Sequence, residues 1–279
     1  MSKPDPNIGA ATALCGIVLH PAGHTRSPAM HNAAFGALGL DAAYLAFDVP
    51  PERLGDAIAG VRALGLRQVA VSIPHKENVM QHLDRIDETA AAIGAVNTVT
   101  RRGDELVGSN TDWTGALRAL EREIDPKGRR AVVLGAGGAA RAVVYALLHA
   151  GAEVMVLNRT EARARVLSRA LSASGSGSLA DLADLPHDIL VNTTAVGLRS
   201  AASPVPAEHL RAESVVMDAV YEPEQTRLLA DAEARGARPL GGKWMLVHQA
   251  AEQVRLWTER DAPIAVMAAA FDAAGSKPE

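Results

Sequence analysis

The chain has 279 residues and a mass of 29.1 kDa, enough for one large or two ordinary domains. Hydrophobic residues make up 48% of it, so a sizeable core is expected, and a net charge of −4 gives no basic footprint for nucleic acid or an acidic membrane. The single Cys15 excludes an internal disulfide, and no apolar run approaches the ~18–20 residues of a membrane span. We therefore expect a soluble, cytoplasmic protein.

Strand and helix patterns alternate through the first 125 residues. Ser27 is predicted to be the N-cap of the first helix, because Pro28 follows it and apolar residues then recur at helical spacing. A hairpin is predicted in "NTVTRRGDELVGSNT", with its turn at Gly103-Asp104. The remaining predicted elements are strands at 15–19, 44–49 and 68–73 and helices around 54–61, 79–83 and 112–123.

A second alternating series follows the polar segment "DPKGRR". The Ser/Gly-rich segment at 172–178 is predicted to be a linker, and residues 244–274 are predicted to be helical without a strand. Alternation of this kind predicts an α/β fold with parallel sheets, in two domains that meet near residues 125–130. The predicted elements of this half are strands at 131–134, 153–158, 188–192 and 214–220, a turn and helix within 135–151, and helices at 160–171 and 226–235.

The segment "AVVLGAGGAAR" places Gly135, Gly137 and Ala140 directly after a buried strand and at the start of a helix. This is the G-x-G-x-x-G/A pattern in the strand–turn–helix context that dinucleotide binding requires. Glycines let the backbone approach a pyrophosphate, and the helix N-terminus supplies N–H groups and positive potential. A merely tight turn between strand and helix is the alternative interpretation.

The next strand ends in Asn158-Arg159-Thr160, where NAD-binding sites usually carry an acidic residue for the ribose 2′-hydroxyl. Here that acid is missing, and Arg163 follows Arg159 by one helical turn. Two guanidinium groups suit a 2′-phosphate, which a carboxylate would repel. The pattern favours NADP over NAD, although both arginines would also suit a solvated helix start.

Lys76 follows the strand in "VSIPHKE", and Asp112 opens the helix in "NTDWTGAL". A lysine at a strand end that faces a cleft can transfer a proton to or from a reacting hydroxyl group. The alternatives are a solvated lysine and, for Asp112, a helix N-cap. The residues alone leave both interpretations open.

Eight segments, in their order and spacing, resemble the shikimate dehydrogenase family. The resemblance extends from about residue 16 to residue 251, and the segments are "HTRSPAMHN", "VSIPHKE", "IGAVNT", "GSNTD", "GAGGAAR", "NRT", "NTTAVG" and "MLVHQAA". It implies NADP-linked, reversible reduction of 3-dehydroshikimate to shikimate in the pathway to chorismate and the aromatic amino acids. It also implies a substrate domain (1–125, completed by helices in 244–279), a Rossmann domain (126–243) and an active site in the cleft between them.

The resemblance also implies residue roles. Lys76 and Asp112 match the catalytic pair of the family. Lys76 is expected to transfer the proton, and Asp112 to orient Lys76 and the reacting hydroxyl. The resemblance places Thr25 and Ser27 at the substrate carboxylate, and the remaining substrate contacts at Ser72, Asn97, Tyr221 and Gln249. The implied cofactor positions are Gly135, Ala136, Gly137, Gly138, Ala139, Asn158, Arg159, Thr160, Arg163, Ala219 and Gly242.

The chain departs from the family pattern in three places, and the first two concern the choice of substrate. Thr25 stands where serine is common, Ala70 and Ser72 replace a usual asparagine and threonine, and Lys243-Trp244 replaces small or apolar residues. A quinate or mixed quinate/shikimate dehydrogenase therefore stays an alternative, as does a non-catalytic NADP-binding regulator of the same fold. We expect a monomer or homodimer. No metal is expected, because the spacing of Cys15 and the nearby histidines at 20, 24 and 31 matches no zinc pattern.

Overall fold

The computed structural model describes residues 8–23 and 25–275. These residues form two compact units, one from the described parts of 1–111 and 250–279 and the other from 112–249. Each unit contains its own six-stranded sheet, which confirms the predicted α/β class with two domains. The sequence-based boundaries, 1–125 with 244–279 and 126–243, stay a prediction.

The first unit contains a mixed sheet. Its elements before the last two helices are β1 (Ala13–Leu19), α1 (Ser27–Leu38), β2 (Ala42–Asp48), α2 (Leu54–Ala63), β3 (Gln68–Val71), β4 (Arg85–Ile86), α3 (Glu88–Ile93), β5 (Thr98–Arg102) and β6 (Glu105–Ser109). The strand order is β2-β1-β3-β5-β6-β4. β1 pairs in parallel with β2 and β3, whereas β5 pairs antiparallel with β3 and β6. The predicted hairpin is confirmed, and it makes this sheet mixed rather than wholly parallel.

The second unit contains a wholly parallel sheet. Its elements are α4 (Asp112–Leu120), β7 (Arg130–Leu134), α5 (Gly138–His149), β8 (Glu153–Leu157), α6 (Glu161–Leu171), β9 (Gly175–Gly177), β10 (Ile189–Asn192), β11 (Val215–Asp218), α7 (Arg227–Ala234) and β12 (Arg238–Leu240). The strand order, β9-β8-β7-β10-β11-β12, reverses direction next to β7. This is the doubly wound Rossmann order 3-2-1-4-5-6, which places a ligand site at the carboxyl ends of the strands beside β7.

The C-terminal region is helical, as predicted. α8 (Lys243–Thr258) contains residues of both units, and α9 (Ile264–Gly275) belongs to the first, where it packs on α1. The guanidinium of Arg26 lies 4.3 Å from the centre of the Phe271 ring at this packing surface. Such a cation–π contact adds to the burial of apolar surface between the two helices.

The second sheet is buried on both faces, and alternate residues of β7 show this directly. Ala131 and Val133 belong to one apolar cluster, whereas Val132 and Leu134 belong to another. Because successive side chains of a strand point to opposite faces, β7 has helices or loops over each side. The continuous apolar run "AVVL" is the sequence signature of such a strand.

Local structure differs from prediction in several places: β4, α3 and β12 were not predicted, and three predicted features take another form. The segment 79–83 forms a 3₁₀ helix at Asn78–His82 rather than an α-helix, and the predicted linker at 172–178 contains β9. Ser27 is the first residue of α1 instead of its N-cap. The Thr25 hydroxyl accepts a hydrogen bond from the Ser27 N–H at 3.3 Å, so a side chain two residues earlier satisfies this donor.

A buried histidine gives the first unit a predictable response to acid. His31 on α1 is 1% exposed and stacks on Tyr44 with ring centres 4.0 Å apart. Among the described residues, no partner meets full hydrogen-bond geometry at either ring nitrogen, and the nearby Gln253 side chain compensates only in part for burial. Burial lowers the His31 pKa to about 3, and the Gln253 amide acts in the opposite direction.

We expect His31 to destabilise the fold as the pH falls below about 6.5, the usual histidine pKa. Below pH 6.5, His31 is protonated in the unfolded chain, whereas in the folded protein it stays neutral until the pH approaches 3. At pH 5 this removes about 2 kcal/mol of the free energy of unfolding relative to pH 7.5. Urea unfolding of wild type and His31→Phe at both pH values measures the difference, which should shrink by that amount in the variant. His149→Gln on the surface is the control, and an unchanged pH dependence in His31→Phe would contradict the assignment.

Candidate functional site

The turn after β7 requires glycine at its first position. Gly135 has φ +116°, a conformation that other residues adopt only with strain, and a Cβ there would lie 2.5 Å from the Thr193 Oγ1 atom. The Gly135 N–H donates to the Leu157 carbonyl at 2.8 Å, which ties the turn to the end of β8. The turn is therefore narrow and fixed.

The turn leads into an open helix N-terminus. Gly137 is the N-cap residue of α5 and provides no side-chain cap, and a Cβ built on it would meet nothing within 4 Å. The first N–H groups of a helix have no partner inside the helix and carry positive potential. The predicted positions Gly135, Ala136, Gly137, Gly138 and Ala139 thus form one turn whose backbone fits a pyrophosphate.

The end of β8 lies beside this turn. Leu157 pairs with Leu134 across the two parallel strands, so Asn158 and Gly135 follow at the same edge. The Asn158 amide donates to the Thr160 carbonyl at 3.0 Å, which shapes the loop into α6. Thr160 is the N-cap residue of α6.

Arg159 in this loop and Arg163 on α6 are exposed. Their ion pairing differs from that of Arg165, which is also on α6. Arg165 forms an ion pair with Glu161, with 2.6 Å between NH2 and Oε1. Arg159 and Arg163 form no ion pair with any described residue. Cations near a helix N-terminus oppose its dipole, so their presence here fits an anionic ligand. The guanidinium groups suit a 2′-phosphate, and the predicted cofactor positions 158, 159, 160 and 163 lie together.

Thr193 borders the glycine turn and was not among the residues predicted from the sequence. It follows β10, and both its N–H and its hydroxyl donate to the Leu134 carbonyl, at 2.9 and 2.7 Å. Its Oγ1 also limits the space at Gly135. The segment "NTTAVG" was the available signal, but only pairing of β10 with β7 shows what the threonine contacts.

A buried carboxylate holds the loop after β11. Asp218 is fully buried and accepts hydrogen bonds from the Asn192 amide at 2.9 Å and the Val220 N–H at 3.0 Å. The Thr226 hydroxyl, at the N-cap of α7, donates to it at 2.7 Å. Burial raises the Asp218 pKa, against these three hydrogen bonds. Asp218 thereby fixes the loop that carries the predicted residues Ala219 and Tyr221.

Gly242 lies against the same loop. A Cβ on Gly242 would lie 2.6 Å from the Ala219 carbonyl oxygen, so the predicted positions Ala219 and Gly242 are in close contact. Tyr221 and Gly242 line a small cavity together with Lys243 and Trp244. Lys243-Trp244 is one of the departures from the family pattern. The tryptophan has a structural explanation, because the Arg122 guanidinium stacks 3.8 Å from the centre of its ring.

In the first unit, the two predicted carboxylate-binding hydroxyls lie at the start of α1. Ser27 is 3% exposed and Thr25 is half-buried, and the hydrogen bond between them sets their spacing. The first turn of a helix favours an anion through its N–H groups and its dipole. The arrangement fits a small carboxylate.

Lys76 lies in an anchored turn and is half-buried. Ser72 donates its N–H to the Val18 carbonyl at 2.9 Å, and its own carbonyl accepts from the His75 N–H at 2.8 Å. The Lys76 carbonyl accepts from the Val96 N–H at 2.8 Å. The buried His75 ring donates from Nε2 to the Val49 carbonyl at 2.8 Å. The backbone of Lys76 is thus fixed, which differs from a lysine at a frayed strand end.

Asn97 is buried in a dense hydrogen-bond network. Its Oδ1 atom accepts from the Thr98 hydroxyl and the Thr111 N–H, both at 2.7 Å, and its Nδ2 donates to Thr111 Oγ1 at 3.0 Å. Asp112 follows directly as the first residue of α4 and is 5% exposed. Both proposed functions of Asp112, helix start and reactive group, are compatible with that position.

Gln249 lies on α8, is 7% exposed and donates to the Leu246 carbonyl at 3.0 Å. It packs against α4, because a Cβ on Gly115 would lie 2.9 Å from the Gln249 Cβ. The predicted substrate residues are divided between the two units. Thr25, Ser27, Ser72, Lys76 and Asn97 belong to the first, and Asp112, Tyr221, Gln249 and all cofactor positions belong to the second.

Residues 8–23 and 25–275 contain neither a metal-binding cluster nor a membrane-spanning helix. No group of three or more His, Cys, Asp or Glu side chains there is arranged to hold a metal ion, and His24 lies outside the described residues. Within the same ranges, no helix combines the length and the apolar character that a membrane crossing requires.

Comparison with known protein families gives three adjoining matches. Residues 17–99 match the shikimate dehydrogenase substrate binding domain, residues 118–231 match shikimate / quinate 5-dehydrogenase, and residues 242–270 match the shikimate 5′-dehydrogenase C-terminal domain. Together these matches extend over most of the chain.

Individual proteins give the same result. Shikimate dehydrogenase (NADP(+)) of Thermococcus kodakarensis is 50% identical over 255 residues, which cover 89% of this chain and 92% of that protein. The crystal structure of the Thermus thermophilus enzyme with NADP(H) and shikimate has a TM-score of 0.88 and 41% identity, covering 94% of this chain and 99% of that one. A ligand-free 5-ketofructose reductase of a Gluconobacter species has a TM-score of 0.85 and 38% identity, covering 95% and 100%.

Proposed function

Because the chain belongs to the shikimate dehydrogenase family, we propose that it catalyses the NADP-dependent, reversible reduction of 3-dehydroshikimate to shikimate. The observation that carries the proposal is the carboxyl edge of the second sheet. There a turn that requires glycine at 135, an open helix N-terminus and two arginines that pair with no acidic group among the described residues lie at one edge. The reaction is a step toward chorismate and the aromatic amino acids.

The residues at that edge fit NADP. The backbone of 135–139 would hold the pyrophosphate, Arg159 and Arg163 the 2′-phosphate, and the contact between Ala219 and Gly242 would border the nicotinamide end. When bound, this cofactor supplies the hydride chemistry, so the protein has to position the substrate and manage one proton.

The first unit supplies groups for the substrate. Thr25 and Ser27, at the start of α1, suit the carboxylate, and Asn97 and Ser72 suit ring hydroxyls. Tyr221 and Gln249 are proposed to complete the contacts. These assignments rest on the family resemblance and on the exposure and chemistry of each side chain.

Lys76 and Asp112 are the proposed catalytic pair. In the reducing direction, a carbonyl carbon gains a hydride, and the Lys76 ammonium donates a proton to its oxygen as charge develops there. In the oxidising direction, the lysine takes the hydroxyl proton back. Asp112 is assigned the orientation of the lysine and of the reacting hydroxyl, because a carboxylate accepts hydrogen bonds from both kinds of donor.

Two alternatives concern the substrate. Quinate differs from shikimate in its ring but keeps the carboxylate, so the hydroxyls of Thr25 and Ser27 serve either acid. A sugar ketone such as 5-ketofructose lacks the carboxylate, and the pair of hydroxyls at the start of α1 would then have no anionic partner. We therefore favour a carboxylate substrate.

A substrate panel tests the proposal. Shikimate, quinate and an amino analogue are assayed with NADP and with NAD, and 5-ketofructose with NADPH, by absorbance of the reduced cofactor. We expect the highest kcat/KM for shikimate with NADP. A higher value for quinate would favour the first alternative, and NADP binding without turnover of any acid would favour the non-catalytic regulator.

We also propose that the enzyme acts in the cytoplasm as a monomer or homodimer. The lone thiol of Cys15 is buried, and burial raises its pKa to about 12, so it stays protonated and unreactive in a reducing compartment. Light scattering on the purified protein measures the oligomeric state.

A further inference from the structure

The buried amide of Gln253 belongs to the network around Asn97. Gln253 lies on α8, is 2% exposed and donates from Nε2 to the Thr98 hydroxyl at 3.0 Å. A longer contact of 3.4 Å joins the same Nε2 to the Asn97 carbonyl. Gln253 thus reaches both the side chain next to Asn97 and the Asn97 backbone.

The direction of these hydrogen bonds follows from counting protons. A threonine hydroxyl has one proton, and Nε2 of glutamine can only donate. Because Gln253 donates to the Thr98 oxygen, the Thr98 proton is directed to Asn97 Oδ1, 2.7 Å away. Oδ1 also accepts from the Thr111 N–H. Together with the Thr111 hydroxyl 3.3 Å away, these donors commit the side-chain oxygen of Asn97 to the network and fix the plane of its amide.

We propose that Gln253 is a positioning residue for the substrate site, acting through Thr98 on Asn97. This inference rests on the proposed function, which places Asn97 at a ring hydroxyl. Asn97, Thr98, Thr111 and Gln253 are all at most 2% exposed, so water does not replace a lost partner. Removing the Gln253 donor frees the Thr98 hydroxyl to rotate, and the Asn97 amide loses one of the bonds that fix its plane.

The same sheet contains a matched control. Gln68 on β3 is also 2% exposed, and its Nε2 donates to the Thr100 hydroxyl at 3.0 Å. The two glutamine–threonine pairs therefore share residue types, burial and distance. The pairs differ in one respect: the Thr98 hydroxyl donates to Asn97, whereas Thr100 lies two residues further along β5.

The test compares Gln253→Met with Gln68→Met, because methionine keeps the length of the side chain and removes the amide. We expect Gln253→Met to lower kcat/KM for shikimate about tenfold, with the KM for NADP unchanged. Gln68→Met should lose a similar amount of stability in urea and keep wild-type kcat/KM. Equal kinetic losses in both variants, or none in Gln253→Met, would reduce Gln253 to a structural role and overturn the proposal.

A double-mutant cycle tests whether Gln253 acts through Asn97. In an Asn97→Ala background, Gln253→Met should change kcat/KM less than twofold, since the group it positions is gone. A full tenfold loss in that background would contradict an effect of Gln253 through Asn97.

Thr98→Val removes the hydroxyl between Gln253 and Asn97 and should reproduce the Gln253→Met kinetics. If wild type itself turns over no cyclohexene acid, the proposed function fails first, and the two failures are thereby distinguished.

Discussion

Lys76→Ala is expected to lower kcat by about 10²–10⁴-fold, the range that general acid–base catalysis contributes. The Lys76 backbone is held by the Val96 N–H whatever its side chain, so the turn should survive the substitution. NADP affinity should stay close to wild type, because Lys76 belongs to the first unit and the proposed cofactor residues to the second. Stopped-flow or steady-state rates with shikimate, and a fluorescence titration with NADPH, measure the two quantities.

The control for this experiment is Lys127→Ala. Lys127 is exposed, lies in the polar segment before β7 and has no proposed role. It removes the same charge and should leave kcat unchanged. Retention of most activity in Lys76→Ala would remove this lysine from the mechanism, and an equal loss of NADPH binding would indicate a folding defect instead of a catalytic one.

Arg159→Ala is expected to weaken NADP binding about 10- to 100-fold and to leave NAD binding nearly unchanged. The range corresponds to about 1.5–3 kcal/mol for hydrogen bonds to a charged group. NAD lacks the 2′-phosphate, so the arginine has nothing to pair with in that complex. Titration calorimetry with both cofactors gives the ratio of dissociation constants directly.

Arg165→Ala provides the comparison, because Arg165 is close in sequence but already paired with Glu161. It should lose at most the small contribution of an exposed ion pair on a helix and keep wild-type selectivity for NADP. If Arg159→Ala weakens NADP and NAD equally, the 2′-phosphate contact is wrong. If both arginine variants behave alike, the effect is one of general surface charge.

Short-range patterns determined much of the fold. The run "AVVL" followed by Gly135 and the α5 helix predicts a buried strand and a tight turn, and the structure has both. The hairpin at Gly103-Asp104 and the helix expected at 226–235, which is α7, were also predicted correctly. In each case the deciding interactions lie within a few residues of one another, so sequence order nearly specifies them.

Prediction was weaker where a distant partner decides the conformation. Gly175–Gly177 has low strand propensity and reads as a linker, yet it pairs with β8, with Gly177 opposite Leu157. At Ser27, the sequence pattern placed the helix start one residue late, because the Thr25 hydroxyl satisfies the Ser27 N–H. Propensity alone contains neither contact.

The sequence by itself determined the residue types of the site: the glycine turn, the arginine pair, Lys76, Asp112 and the hydroxyls of Thr25 and Ser27. Only the tertiary structure decided how groups far apart in the chain act on one another. Thr193 reaches the Leu134 carbonyl because β10 lies beside β7, and Gln253 sets the donor direction at Asn97 from 156 residues away. The physical reason is that the direction of a buried hydrogen bond depends on which donors and acceptors are neighbours. Only the folded backbone brings such groups together when they are distant in sequence.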